Sequence, residues 1–187
     1  MDLDSTIKER HSVRRFMSTK KPNWQDILEA IEAARKAPLA GNIPSLKFII
    51  VNEPERIAKL AEASQQDFIA DCAYIVVVCS KGDQCERSYG ERAKRYCKQQ
   101  AGAAIENFLL KITDLGLATC WVGAFADHMI KHALQIPEEV EVEAIFPIGY
   151  EKKPVGQQRK KLDLQSCLYF NVWKNKYMAG IRKPEGM

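Results

Sequence analysis

The sequence contains no apolar run near the roughly 20 residues that cross a bilayer. Its opening, MDLDSTIKER, has neither the basic start nor the apolar stretch of a secretory leader. A cytoplasmic protein without membrane contact is the expectation. The six cysteines, Cys72, Cys79, Cys85, Cys97, Cys120 and Cys167, form no C-x-x-C pair and have no histidine at zinc-binding spacing. Reduced core thiols are expected, a Cys79–Cys85 disulfide or an iron–sulfur role being the minor alternatives. Only three histidines occur, His11, His128 and His132. The pair four residues apart is not part of an H-E-x-x-H motif, which leaves a solvated helix face and no expected metal. G-x-S-x-G, G-x-G-x-x-G and G-x-x-x-x-G-K-[ST] are all missing, so hydrolase-elbow, Rossmann and P-loop chemistry lack support. The net charge is only +4, from 28 basic and 24 acidic residues, which is not the field of a dedicated nucleic-acid binder.

What is present is an ordinary globular composition, 46% hydrophobic and 28% charged over 187 residues, enough for one domain spanning 1–187. Trp24, Ile27, Leu28, Ile31 and Ala34 fall at helical spacing, with Asn23 placed to cap and Pro38 beyond the end. KFIIV ending at Val51 and YIVVVCS from Tyr74 read as buried strands, with a helix starting at Pro54 between them. Ala101, Ile105, Phe108, Ile112 and Leu115 place one apolar stripe on a long helix within QAGAAIENFLLKITDLG, stopped by Gly116. Asp127 is placed to cap a short helix, and Val140, Val142, Ala144 and Phe146 alternate as in a half-buried strand. Helices and strands mix without a regular beat, so the class is α+β. An aromatic tail from about residue 163 is free to pack either on its own core or on a partner subunit.

The densest local charge is RHSVRRF, residues 10–16. If this segment is helical, Arg10 and Arg14 leave one face with the Ser12 hydroxyl nearby, a set suited to one phosphate. On spacing alone a solvated basic turn is the plainer reading.

Four separated segments in order change that balance. RHSVRRF, AARKAPLAGNIPSLKFIIV, AGAAIENFLLKITDLGLATCWVGAF and AIFPIGYEKKP with the later Arg159 together resemble the nitroreductase family of flavoenzymes. The resemblance implies an α+β sandwich with a central, mainly antiparallel sheet flanked by helices. It also implies an intertwined homodimer holding FMN at the subunit interface. NADH or NADPH would deliver a hydride to flavin N5, and a nitroaromatic, quinone or similar small acceptor would then take the electrons in a ping-pong cycle. No catalytic side chain is obligatory in that scheme. By position, Arg10, His11, Ser12 and Arg14 would hold the FMN phosphate and ribityl chain, and Arg159 would close on the same phosphate. Pro38, Leu39, Ala40 and Asn42 match the block that reaches the flavin from the other subunit. Trp121, Val122 and Gly123 match the turn along the isoalloxazine, where a backbone N–H would face N5. Gln65 aligns with a polar residue at the ring edge. Relatives with other roles imply an alternative: flavin fragmentation, reductive dehalogenation or flavin storage.

Three departures from the family pattern fall near the implied flavin. Leu39 replaces a serine, Pro44-Ser45-Leu46 replaces Gln-Pro-Trp, and Gln100-Ala101-Gly102 replaces Asp-x-Gly. Substrate choice is where these differences act.

Overall fold

YIVVVCS is apolar without alternation because it becomes an inner strand covered on both faces. The computed structural model describes residues 1–152 and 162–178. In it β1 (Leu46–Val51), β2 (Tyr74–Ser80), β3 (Ala118–Thr119) and β4 (Glu141–Gly149) form one antiparallel sheet in the order β1-β2-β4-β3. Ile75, Val77 and Cys79 face one layer, and Tyr74, Val76 and Val78 face the other. The first layer contains α3 (Pro54–Ser64) and α6 (Asp127–Leu134); the second contains α2 (Trp24–Ala34) and α5 (Ala93–Asp114). The α+β architecture expected from the sequence is therefore observed.

Local signals explain most boundaries. Asn23 Oδ1 accepts the Gln25 N–H at 3.1 Å and starts α2. Pro54 occupies the first turn of α3. Gly116, at φ +70°, ends α5 as the Gly116 and Leu117 N–H groups bond back to Thr113 and Ile112. Ala101, Ile105, Phe108 and Ile112 form the buried stripe as the spacing indicates.

Other expectations change. The long helix begins at Ala93 rather than near Gln100, preceded by α4 (Asp83–Tyr89). Its 22 residues extend about 33 Å. Asp127 is the first residue of α6 rather than its cap, because its carboxylate lies 3.2 Å from the Lys131 ammonium. The β4 alternation breaks at a bulge opposite Val78/Cys79, which sends Val142 to one core and Ala144 and Phe146 to the other. There the Glu143 carboxylate is held at 2.9 Å by Lys98. Trp24 is 51% exposed, because only Ile27, Ala30 and Ala34 of α2 turn fully inward.

The residues around the charged heptad are also not helical. The first helix, α1 (Leu3–Glu9), stops before it, and the Arg10 N–H closes the last turn on the Thr6 carbonyl. Ser12 then bridges Thr119, and Phe16 bridges Glu151. The Val13 N–H donates to the Thr119 carbonyl and the Met17 N–H to that of Tyr150, each at 2.9 Å. This backbone pairing and the burial of Val13 and Phe16 outweigh any helical preference.

The chain divides into two compact units, Met1–Lys153 and Pro154–Met187, and the sheet with α1–α6 lies in the first. In the second, α7 (Leu164–Cys167) is followed by a turn. There Tyr169 lies 4.7 Å from Trp173, and the Lys176 ammonium sits 4.0 Å over the Tyr169 ring. Trp173 and Tyr177 are exposed. Among the described residues no helix is long and apolar enough to cross a membrane.

The docking of the heptad is open to test at Gly149, where an added Cβ would lie 2.9 Å from the Phe16 ring. Gly149→Ala is expected to cost about 1–3 kcal/mol, the range for overpacking a core, read from the urea midpoint. An unchanged midpoint would place Phe16 elsewhere.

Candidate functional site

With α1 ended, residues 10–17 cross the end of β3 and the exit of β4 as an extended segment, and the Lys152 N–H donates back to the Arg15 carbonyl. Val13 and Phe16 enter the core, and Phe16 stacks on Phe68 at 6.2 Å. The polar side chains take different directions. Arg10 Nε lies 3.4 Å from Glu106 of α5. Both nitrogens of His11 face acceptors, Nδ1 the Glu9 carbonyl at 2.7 Å and Nε2 the Glu151 carboxylate at 3.1 Å. His11 therefore has no free donor. The Cys120 thiol faces its neighbour's carbonyl, that of Trp121, at 3.8 Å. Burial pushes the Cys120 thiol up, while Arg14 and Ser12 pull it back. Arg14 is exposed and has no carboxylate partner among the described residues.

The turn after β3 lies directly against this segment. Cys120 is buried beneath it, whereas Trp121 is 42% exposed with its ring 6.0 Å from Phe146. The Val122 N–H and carbonyl both bond Ile145 at 3.0 Å. An N–H directed at a ligand from this turn must therefore belong to Trp121 or Gly123. Neither makes an N–H hydrogen bond among the described residues. A Cβ on Gly123 would approach only the Trp121 ring, at 3.8 Å. Gln65 is the left-handed C-cap of α3 and is exposed. The carbonyl of neighbouring Ala63 accepts the Ala126 N–H at 2.8 Å, tying this helix end to the same turn.

Pro38, Leu39, Ala40 and Asn42 are held apart from these groups. Gly41 and Asn42 both have φ 57°, and the Tyr89 hydroxyl occupies the space a side chain on Gly41 would need. A side chain there would require the Tyr89 ring to move, a constraint visible in the packing and not in the sequence. Leu39 lines an apolar groove of about 550 Å³ with Leu28, Ile31, Phe48 and Ala104. Ala104 and Glu106 are two residues apart on α5, so they point to opposite sides of that helix. The Leu39 groove and the Arg10 cluster are thereby separated by α5 within one chain. Arg159 lies outside the described residues.

Several contributors give no sequence signal. Glu106 meets Arg10 and Glu151 meets His11 only because α5 and the β4 exit converge on residues 10–11. Thr119 is 4% exposed, and its hydroxyl has no hydrogen-bond partner. It is the one buried side-chain polar atom left so among the described residues.

The site thus holds unengaged donors around one short turn: the Arg14 guanidinium and two backbone N–H groups. Such a set suits an anionic ligand with acceptor atoms along its length.

A sequence model described as the Nitroreductase family matches residues 7–70 and 62–150. The chain belongs to the nitroreductase family. It is 29% identical to an Archaeoglobus fulgidus protein provisionally named NADH dehydrogenase/NAD(P)H nitroreductase, over 78% of this chain and 83% of that one. It is 21% identical to an iodotyrosine deiodinase of Thermotoga neapolitana, over 81% of this chain and 90% of that one. The fold matches an NADPH:FMN oxidoreductase from Vibrio harveyi solved in complex with NAD+. That match has a TM-score of 0.82 at 16% identity and covers 92% of this chain and 78% of that one.

Thr119→Val tests the orphan hydroxyl. With no partner to lose, the ligand-free chain is expected to be unchanged or more stable by about 1 kcal/mol, since an unsatisfied buried hydroxyl costs roughly 1–3 kcal/mol. Destabilisation in urea would show that the hydroxyl has a partner.

Proposed function

We propose that the protein is an FMN-dependent oxidoreductase of 1–187, a homodimer whose segment from about residue 163 is its tail. It takes a hydride from NADH or NADPH and reduces a small acceptor such as a nitroaromatic or quinone. The observation that carries this reading is the exposed, unpaired Arg14 held with Ser12 against the Trp121–Gly123 turn. Bound FMN would supply the redox chemistry, accepting a hydride at N5 and passing it on.

The chain's own groups then have distinct tasks. Arg14 and Ser12 bind the phosphate end. Arg10 joins them when it exchanges Glu106 for phosphate. His11 holds the segment to Glu151 and so orients its neighbours. The N–H groups of Trp121 and Gly123, unbonded among the described residues, would stabilise negative charge on a reduced ring. Val122 keeps that turn on β4 through its two bonds to Ile145. Gln65 reaches the ring edge.

Two observations support a homodimer with a shared site. Trp24 and Leu28 are exposed at 51% and 40%, beside the apolar groove lined by Leu39 and Phe48. The separation by α5 means that Pro38, Leu39, Ala40 and Asn42 would meet a flavin bound by the other copy. Cytoplasmic work fits a chain whose cysteines are all unpaired. The likeness to the deiodinase favours one second reading, reductive dehalogenation at the same site.

The purified protein is expected to be yellow, to bleach with NADH or NADPH without oxygen, and to recover colour when a nitroaromatic or quinone is added. A colourless protein that FMN cannot reconstitute would overturn the proposal, and halide release from a haloaromatic would favour the second reading. Arg14→Ala is expected to weaken FMN retention by roughly 1.5–3 kcal/mol, the scale of a hydrogen bond to a charged group. Arg10→Ala is expected to cost less, because Glu106 already neutralises that side chain. The reverse order in equilibrium dialysis would count against the assignment.

A further inference from the structure

Cys85 and Cys97 belong to neither sheet core. They form a small separate cluster with Ala93, against which Ile43 and Tyr89 pack. Cys85 lies on α4 and Cys97 on α5, so the cluster packs one thiol from each helix together. The Ser45 hydroxyl donates to Gln100 Oε1 at 3.0 Å. Gln100 Nε2 in turn lies 3.8 Å from the Cys85 sulfur. Ser45, Cys85, Cys97 and Gln100 are all at least nine-tenths buried. Cys97 additionally lines a cavity of about 170 Å³ with Gly82, Glu86, Lys94 and Lys98, which gives a small solute a way in. Cys72, Cys79 and Cys120 sit in the sheet core instead. Burial pushes the Cys79 thiol up to about 12.

We propose that Cys85 and Cys97 are an oxidisable pair that closes to an intrachain disulfide when hydrogen peroxide enters the Cys97 cavity. The Cys97 thiolate attacks one peroxide oxygen, the O–O bond breaks, and a sulfenic acid forms while the other oxygen leaves as water. The Cys85 sulfur then attacks the Cys97 sulfur, the S–O bond breaks, and a second water leaves. Two thiols lose two electrons and two protons in total, and the peroxide takes both. Burial raises the Cys97 thiol and Ser45 pulls it back, so a small thiolate fraction reacts and excess oxidant is needed.

Closure brings the sulfurs to about 2.05 Å and draws α4 toward α5. Tyr89, at the end of α4, sits in the space next to Gly41 and moves with that helix. The Pro38–Asn42 turn therefore senses the disulfide, a consequence that rests on the flavin reading above.

The test uses FMN-loaded protein carrying Cys167→Ser, which removes the exposed thiol. After excess hydrogen peroxide, unfolding and alkylation, it is expected to lose two alkylatable thiols and to yield one linked peptide joining Cys85 and Cys97. Dithiothreitol should restore both thiols. Retention of every thiol, sulfinic acid without a link, or a link through Cys72, Cys79 or Cys120 would overturn the pair. The rate of FMN release is expected to change several-fold on oxidation, to return with dithiothreitol, and to stay constant in Cys97→Ala. An unchanged rate with the link in place overturns the coupling to the turn. A chain that forms the link yet never binds FMN overturns the flavin reading and leaves the pair standing.

Discussion

Backbone pairing of residues 10–17 with the end of β3 and the exit of β4 is the constraint on which the candidate site depends. The hydrogen bonds of Val13, Met17 and Lys152 fix the segment, and burial of Val13 and Phe16 fixes its rotation. With those two side chains committed to the core, Arg14 can only leave toward solvent beside the turn. The same pairing carries Arg10 to Glu106 and His11 to Glu151, which divides one block of basic residues into paired and unpaired members. Arg14 and Arg15 are left exposed without a carboxylate partner among the described residues, and the unbonded N–H groups of Trp121 and Gly123 lie along the turn adjoining Arg14.

The long helix α5 organises the rest. One side of it carries Glu106 and the opening cluster, and another carries Ala104 and the apolar groove beneath Leu39. A two-residue offset along a helix turns the side chain through about 200°. Two parts of one proposed ligand site therefore face away from each other within a single chain. The exposed apolar surface of Trp24 and Leu28 gives a second copy something to cover.

Elements with strong local signals were legible in the sequence. Asn23, Pro54 and Gly116 mark ends through their own backbone chemistry, and the α5 stripe follows from helical spacing. Features decided by distant partners were not. The heptad at 10–16 has a helix-compatible spacing, yet Thr119 and Tyr150, more than a hundred residues away, make it extended. Alternation along β4 is interrupted by a bulge that shows only in its pairing with β2. The constraint at position 41 arises from Tyr89 on another helix. At the site, residue types were readable from the family pattern, while their engagement was not. Nothing near His11 in sequence indicates Glu151, and Thr119 becomes an orphan only once β3 is buried.

Sharing of one site between two chains is the central claim, and mixed dimers test it most directly. Arg14→Ala and Asn42→Ala chains, each weak in FMN binding alone, are co-expressed with different tags, and the mixed dimer is isolated and titrated with FMN. If the opening segment of one chain works with the Pro38–Asn42 turn of the other, one site per mixed dimer carries neither lesion and binds with unimpaired affinity. If both parts of a site come from the same chain, every site carries one lesion, and the absence of any tight site in the mixed dimer would contradict the account.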